Sequence, residues 1–428
     1  MKIDIENIGI IKKASLEIKG ISLIAGKNDS GKSTVGKILY SILRSYNISD
    51  SEIEEYKINY FYSNIQSLFR HISRYTEPNI AYSNNFINKY LEQYEFFDIP
   101  DFEINIKNLK KEQVKVLEEL THIISHIENL SIREGFQKRI DDLKKINSDS
   151  SGSDFYFKIE YLKYFFEEFF PNGIKNVYSD DIYSKIKIDN FYLEFANNIL
   201  SNNPKDSFYL LPKDVIYIES PHQLEKENSV FGNSKSFENY LYNKVTNRTE
   251  KIFSKKINAG EILENIKSII KGSVSVENIG TFNSNLTYEK KNYNFEFEKI
   301  ATGIKTFGII ELLLKNSSIN EDTLLIIDEP EVHLHPSWQV KFAELLVLIS
   351  KNINVQILLS SHSPYFIEAL QSYSEKYDYT DQVNFYFADN DDYLYSSIYN
   401  SSNLSEVYDS ISEAYYELKS IKPLNKND

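Results

Sequence analysis

A glycine-rich segment near the N-terminus constrains the fold of this chain more than any other feature. Residues Gly26–Thr34 spell GKNDSGKST and match the pattern G-x-x-x-x-G-K-[ST] in full. The apolar run ISLIA precedes the segment, and VGKILYSILRSY, with its apolar residues on one helical face, follows it. Because this context makes a chance glycine-rich turn a poor explanation, the order predicts a strand, a phosphate-binding loop and a helix.

The residue types in this loop suit the binding of a nucleoside triphosphate. Glycines at positions 26 and 31 permit a bend in which several backbone N–H groups converge on phosphate oxygens. Lys32 is expected to reach the terminal phosphates, Ser33 to place its hydroxyl on Mg²⁺, and the following helix to add its positive N-terminal end. The residues predicted to contact the nucleotide are Gly26, Asn28, Asp29, Ser30, Gly31, Lys32, Ser33 and Thr34.

A second motif, TLLIIDEP at residues 323–330, has the composition of a Walker B strand. Asp328 ends the apolar run, where its carboxylate is expected to hold Mg²⁺ beside the Ser33 hydroxyl. Glu329 follows directly and is placed to polarise the attacking water as a general base. On its own the pattern could be an ordinary strand with a capped turn, but together with the phosphate-binding loop it predicts one catalytic site.

Composition excludes several other kinds of site. The 428-residue chain has no cysteine, which excludes a disulfide framework, a thiolate metal site and a thiol nucleophile. A formal net charge of -14 argues against sequence-independent binding of nucleic acid over the whole surface, and leaves a local basic groove open. The N-terminus lacks the apolar core of a signal peptide, and no apolar run approaches the ~20 residues of a spanning helix. We therefore expect a cytoplasmic protein without a membrane partner.

The pattern of apolar and polar residues divides the rest of the chain into an insertion, two halves of a head and a C-terminal tail. Residues 46–205 are predicted to be a helical insertion, with an amphipathic helix over residues 116–130, a second helix over 136–143 and a loop over 147–154. The aromatic stretch after this loop is interpreted as core. Residues 1–45 and 206–400 would form the two halves of one ATPase head, in which SVSVE, NLTYE and YNFEF predict an antiparallel meander. Residues 401–428 would form a C-terminal helical tail.

Two further segments indicate the subclass of ATPase. IATGIK at residues 300–305 precedes an apolar helix and resembles the signature segment of ABC-type ATPases. VQILLSSHSP at residues 355–364 is a strand followed by a polar loop, with His362 where that family carries its switch histidine. The N-terminal run from Asn7 to Ile18 and DEPEVHLHP at residues 328–336 are most similar to OLD-like ATPases.

Together these motifs resemble the ABC-type ATPases of the SMC/RecF/OLD group, closest to OLD-like anti-phage defence ATPases of the Septu, retron-associated and PARIS kinds. The resemblance implies an α/β fold: an ABC-type P-loop NTPase head with a mixed sheet, an antiparallel β subdomain and a mostly helical insertion. It implies Mg²⁺-dependent ATP hydrolysis, with Lys32, Glu329 and His362 as catalytic residues and Ser33 and Asp328 as metal ligands.

The same resemblance implies a homo-oligomer. Thr302 and Gly303 would bind the nucleotide of a second subunit in a head-to-tail dimer, although the usual Ser-Gly-Gly core of the signature is replaced by Thr302-Gly303-Ile304. The implied partners are a separately encoded effector such as a nuclease, and DNA as a candidate. An ABC transporter ATPase subunit and a non-hydrolysing, nucleotide-gated scaffold remain alternatives.

Several other polar residues have competing interpretations. Gln66 and Gln223 are weak candidates for the Q-loop glutamine of the family. Glu331, His333 and His335 have zinc-like spacing, but structural roles are favoured for them. The acids Asp389, Asp391 and Asp392 are interpreted as turn residues of a hairpin rather than as a nuclease site.

Overall fold

The computed structural model describes residues 1–75, 87–91, 102–147, 151–202, 212–224, 237–246, 259–279, 283–391, 394–401 and 408. The chain divides into two compact units. One, which we call the head, comprises residues 1–47 and 165–428, and the other, which we call the helical unit, comprises residues 48–164. Within the described part of the chain, no helix has both the length and the apolar character needed to cross a membrane.

The described strands, in chain order, are β1 (Lys2–Ile8), β2 (Ile11–Glu17), β3 (Ile21–Gly26), β4 (Tyr183–Ile188), β5 (Phe191–Ala196), β6 (Ile199–Leu200), β7 (Asp214–Ile218), β8 (Ser273–Ile279), β9 (Asn283–Lys290), β10 (Tyr293–Glu296), β11 (Thr323–Asp328), β12 (Gln356–Ser361), β13 (Val383–Asp391) and β14 (Tyr395–Asn400). The helices are α1 (Lys32–Tyr46), α2 (Asp50–Ile72), α3 (Phe102–Ser125), α4 (Leu130–Asn147), α5 (Ser151–Phe169), α6 (Phe237–Thr246), α7 (Gly260–Ile270), α8 (Thr302–Lys315), α9 (Pro336–Ile353) and α10 (Pro364–Lys376).

Most of these strands form one mixed sheet in the head. Its order is β6-β5-β4-β1-β2-β14-β13-β3-β12-β11-β7, and β8, β9 and β10 form a separate antiparallel meander. Strands β13, β3, β12, β11 and β7 run parallel to one another, whereas β2, β1, β4, β5 and β6 pair antiparallel. The predicted α/β class, with a mixed sheet and an antiparallel β subdomain, is confirmed.

The burial pattern follows from this arrangement. All six residues of β3 are buried, because the strand lies in the middle of a sheet covered on both faces, whereas β1 alternates between exposed and buried positions. Strand residues such as Leu23, Ile327 and Leu359 share one apolar core with Phe307 of α8 and Phe342 of α9. This core holds the carboxyl ends of the parallel strands in fixed positions.

The helical unit has its own core, formed by α2, α3 and α4. Leu120, Ile124 and Ile140 are at most 1% exposed there, as the predicted amphipathic pattern requires. The first predicted helix nevertheless ends at Ser125, and Leu130 is 56% exposed at the start of α4. The aromatic stretch after residue 154 is a helix in which Phe157, Tyr161, Leu162, Phe165 and Phe166 are buried and the other large side chains are partly or fully exposed.

Two predicted boundaries differ from the structure. The predicted insertion, residues 46–205, includes β4, β5 and β6, yet β4 pairs with β1 in the sheet of the head and the second unit ends at Tyr164. The alternation in YSKIKI and FYLEFA was a strand signal that the prediction did not use. The predicted loop over 147–154 is also too long, since α5 begins at Ser151; serine and aspartate are common at helix N-termini. Of the predicted C-terminal tail, only residues 401 and 408 are described.

Candidate nucleotide-binding site

The order of the parallel strands brings the sequence motifs to one edge of the sheet. Strand β12 lies between β3 and β11, with Ser361 opposite Ala25 and Ser360 opposite Asp328. The segments that follow these three strands therefore begin side by side. They are the phosphate-binding loop, the Asp328–Glu329 pair and the loop that contains His362.

The phosphate-binding loop has the conformation that its glycine predicts. Gly31 has φ +81°, and a Cβ there would lie 2.8 Å from Cγ1 of Ile11. Gly31 is also the N-cap residue of α1, and no side chain caps this helix. The first N–H groups of α1 therefore point, without a side-chain acceptor, toward the side on which an anion would bind.

The C-terminal hairpin of the sheet supports this loop. The Asn390 side chain donates a hydrogen bond to the carbonyl oxygen of Asp29 at 2.9 Å, and the Ser396 hydroxyl donates one to that of Ser30 at 2.6 Å. Sequence reasoning missed both contacts, because they join positions more than 360 residues apart. The local sequence around each residue gives no indication of such a distant partner.

Lys32 lies inside the loop and is only 5% exposed. Its Nζ donates to the carbonyl oxygen of Lys27 at 2.6 Å, which ties the two ends of the loop together. Burial lowers the pKa of Lys32, while the negative charges of Glu329 and Asp328 oppose this shift. Additional negative charge from a bound polyphosphate would favour the ammonium form further.

Asp328 accepts hydrogen bonds from the hydroxyls of Ser360 and Ser33. The Tyr217 hydroxyl also lies 3.4 Å from Oδ2 of Asp328. Burial raises the pKa of Asp328, and the two serine contacts act in the opposite direction. A carboxylate and a serine hydroxyl in contact are oxygen ligands of the kind that Mg²⁺ prefers, so the residues present fit this ion.

Glu329 and His362 form the next pair along this edge. The Glu329 backbone N–H donates to the Ser360 carbonyl at 3.1 Å, and its φ is +45°. Its Oε1 lies 3.4 Å from Nδ1 of His362. This contact lowers the pKa of Glu329 and raises the pKa of His362. Glu329 is therefore ionised at neutral pH, as a proton acceptor must be.

An open cavity of about 360 Å³ lies over the loop. Its lining consists of Ile10, residues 28–34 and Glu329. Thr302 and Gly303 are not among the described residues that line it. They form the first turn of α8, which no side chain caps, and Gly303 packs closely against Leu334 and Trp338. One chain thus brings together the loop, Asp328, Glu329 and His362, but not the signature segment.

Among the described residues, the other polar residues singled out in the sequence do not line the cavity and contact neighbouring parts of the fold instead. Gln66 lies on α2 of the helical unit, and Gln223 Oε1 accepts from the N–H groups of Glu219 and Ser220 beyond β7. The side chain of His335 caps α9. Across the described residues, no group of three or more His, Asp or Glu side chains is arranged to hold a metal ion.

The predicted hairpin near the C-terminus is present, with one correction. Asp389 and Asp391 lie on β13, opposite Ser397 and Tyr395 of β14, and not in the turn as predicted. The strand continues further than expected because β14 pairs with it along this whole stretch. Asp392 lies outside the described residues.

The conformation of Gly31 leads to a testable prediction. Gly31→Ala should weaken ATP binding at least about tenfold, since left-handed φ costs an alanine roughly 1 kcal/mol or more and the new methyl group clashes with Ile11. Fluorescent-nucleotide titration would measure the change. Gly135→Ala is the control, because a Cβ at this position of α4 meets nothing within 4 Å. Equal nucleotide affinity in the two variants would contradict the prediction.

The fold and the site together define an ABC-type P-loop ATPase domain. The model of the family described as "AAA domain, putative AbiEii toxin, Type IV TA system" matches residues 21–368, and the chain belongs to this family. The Septu protein PtuA of Bacillus thuringiensis is 27% identical over 113 residues, a match that covers 24% of this chain and 28% of that protein.

Solved structures of similar proteins include heads of SMC proteins and an ABC transporter component. The SMC head domain of Thermotoga maritima is 11% identical, with a TM-score of 0.38 over 94% of this chain and 98% of that chain. An SMC head bound to the C-terminal winged-helix domain of ScpA is 10% identical, with a TM-score of 0.41 over 95% and 98%. The ATP-binding cassette MJ1267 of an ABC transporter, in its ADP conformation, is 10% identical, with a TM-score of 0.33 over 99% and 100%.

Proposed function

We propose that this chain is a Mg²⁺-dependent ATPase that closes into a head-to-tail dimer on ATP, and that it acts in prokaryotic anti-phage defence or DNA maintenance with a separate effector such as a nuclease. The observation that carries the proposal is the convergence of the phosphate-binding loop, Asp328, Glu329 and His362 on one edge of the sheet. Membership of a family of AAA domains supports ATPase activity in general.

Each side chain in the site has a task in this proposal. Lys32 and the N–H groups at the start of α1 bind the phosphates, and Ser33 with Asp328 holds Mg²⁺, which neutralises phosphate charge when bound. Glu329 accepts the proton of the attacking water, because its carboxylate is ionised and faces the cavity. His362, 3.4 Å from Glu329, orients that carboxylate toward the water.

The position of the signature segment supports a dimer. The start of α8 has an uncapped N-terminus, which suits an anion, but it lies outside the cavity of its own chain. In a two-fold dimer each subunit supplies the same surface, so the α8 N-terminus of one copy can complete the site of the other. Thr302 and Gly303 would then contact the terminal phosphate bound to the partner subunit.

The defence role rests on the comparisons. The partial match to the Septu protein PtuA agrees with the motif resemblance to Septu-type ATPases, and the family description names a toxin of a toxin–antitoxin system. A separately encoded effector follows from the same resemblance. DNA is the further candidate partner, bound by the closed dimer rather than by the acidic surface as a whole.

Mixing two inactive variants tests the composite site. Lys32→Ala removes the phosphate-binding lysine, and Thr302→Asp places a negative charge where the partner's phosphate would bind. An aspartate at a helix N-terminus stabilises the helix, so the fold should be kept. We expect each variant alone to be inactive and the equimolar mixture to recover about one quarter of wild-type turnover, since half of the dimers are mixed and each mixed dimer keeps one of two sites.

The ATP-dependent release of phosphate, measured against the ratio of the two variants, checks this expectation. Full activity of Thr302→Asp by itself would contradict the role of the signature segment. An inactive mixture of well-folded variants would contradict the composite site, while leaving ATP hydrolysis by the wild type as a separate result.

A further inference from the structure

Glu331 lies just behind the proposed catalytic pair and is only 4% exposed. One of its oxygens, Oε1, accepts three hydrogen bonds from three consecutive residues. The donors are the Ser361 hydroxyl at 2.7 Å, the His362 backbone N–H at 2.9 Å and the Ser363 backbone N–H at 3.1 Å. A single buried oxygen therefore fixes the backbone on both sides of His362.

Two carboxylates lie beside the ring of His362. Its Nδ1 lies 3.5 Å from Oε1 of Glu331 and 3.4 Å from Oε1 of Glu329. Glu329 faces the cavity, whereas Glu331 is not among the described residues that line it. Of the two carboxylates near His362, one therefore lines the cavity and the other lies away from it.

A buried carboxylate needs strong compensation, because desolvation disfavours its charge. Here three donors compensate through Oε1, whereas Oε2 has no hydrogen-bond partner among the described residues. The three donors are the last residue of β12 and the first two residues after it. Burial raises the pKa of Glu331, and the hydrogen bonds from Ser361 and His362 oppose this rise. The carboxyl group and the segment around His362 therefore stabilise each other.

A second contact ties the same two loops together. The Ser363 hydroxyl donates to Oε1 of Gln339 at 2.7 Å, and Nε2 of Gln339 donates to the Leu334 carbonyl at 3.1 Å. The loop after β11 and the loop after β12 are therefore joined at two points. Of these, the Glu331 contact is the one that includes the backbone N–H of His362 itself.

We infer that Glu331 is a positioning residue that sets the location of His362 beside Glu329. This inference rests on the proposed ATPase function, in which Glu329 is the proton acceptor. Glu331 does not line the cavity, and its charge raises the pKa of Lys32 from a distance. Its hydrogen bonds among the described residues go to Ser361, His362 and Ser363, so it acts on the reaction mainly through His362. Its loss should reduce kcat and leave KM for ATP nearly unchanged.

Three variants test the inference by turnover. Glu331→Ala removes the acceptor and should lower kcat at least about tenfold, because small displacements of a catalytic group cost that much. Glu331→Gln keeps an oxygen at Oε1 and should remain within about threefold of wild-type kcat. Glu311→Ala is the matched control: Glu311 is 2% exposed and accepts from Ser273 and Val274 in the core, so its loss should lower the melting temperature without lowering kcat.

A double-mutant cycle separates positioning from a general loss of stability. If Glu331 acts through His362, adding Glu331→Ala to His362→Ala should cause no further fall in kcat. Multiplicative losses in the double variant would overturn the inference. Wild-type kcat in well-folded Glu331→Ala would overturn it as well.

A spectroscopic measurement keeps the test independent of ATPase activity. The chain has seven histidines, so ¹³C-histidine labelling gives few signals, and His362→Ala assigns the one that disappears. The His362 ring signal should shift in Glu331→Ala, return toward wild type in Glu331→Gln and stay unchanged in Glu311→Ala. An unmoved His362 signal in Glu331→Ala would overturn the positioning role, even if the protein proved not to hydrolyse ATP. A shifted signal in a protein without ATP turnover would support the positioning role and contradict the proposed function.

Discussion

Lys32→Ala is expected to abolish ATP turnover, with a loss of at least about a thousandfold in kcat/KM. The ammonium group lies inside the phosphate-binding loop, where it is 5% exposed and close to Asp328 and Glu329. Alanine removes the charge that would neutralise the terminal phosphates, and it also removes the hydrogen bond to the Lys27 carbonyl that closes the loop. Phosphate release and fluorescent-nucleotide binding would measure both consequences.

The control for this variant is Lys244→Ala. Lys244 is partly buried and pairs with Asp214, so its loss also removes a buried lysine contact in the head. Lys244 does not line the cavity. We expect turnover within about twofold of wild type for Lys244→Ala, because distant sites act independently. Turnover in Lys32→Ala equal to that of the control would mean that the loop does not bind the reacting phosphates.

The sequence could predict the centre of this site because each motif is local. The loop at residues 26–34, the acids that end β11 and the histidine after β12 each follow an apolar strand. Parallel strands in one sheet place their carboxyl ends at the same edge. The spatial meeting of the three segments therefore needed only the correct assignment of three buried strands.

Contacts between distant segments could not be predicted in this way. The sequence favoured a structural role for Glu331 over a metal site but did not show which residues it contacts, and only the structure places its carboxylate beside Ser361, His362 and Ser363. The alternation in β4 and β5 could have predicted strands within residues 46–205, but not that β4 pairs with β1 in the sheet of the head. A strand's partner depends on the whole sheet, whereas its own periodicity is local.

Conformation at single residues also escaped sequence reasoning. Glu329 has φ +45° and His333 has φ +65°, values that are uncommon for residues other than glycine. The backbone turns sharply directly after Asp328, and this turn lets the Glu329 N–H reach the Ser360 carbonyl. Strain of this kind concentrates at functional sites, where surrounding contacts impose it.

Glu329→Gln is expected to separate nucleotide binding from hydrolysis. The contact with His362 lowers the pKa of Glu329, which favours the ionised carboxylate in the wild type. A carboxylate has an oxygen that can take the proton of water, and an amide does not. We expect kcat to fall about a hundredfold to a thousandfold while ATP affinity stays close to wild type, because the phosphate-binding loop is unchanged. Single-turnover kinetics and nucleotide titration would measure the two quantities separately.

The same variant tests whether ATP controls assembly. If hydrolysis opens the dimer, Glu329→Gln should accumulate with ATP at roughly twice the chain mass of 50.0 kDa in light scattering, and should return to the monomer mass with ADP. Glu344→Gln is the matched control. Glu344 lies on α9, accepts hydrogen bonds from Tyr377 and Lys376, and does not line the cavity. No measurable turnover in either the wild type or Glu329→Gln, together with an unchanged mass, would favour the non-hydrolysing scaffold instead, because a protein that only holds nucleotide has no step that requires this carboxylate.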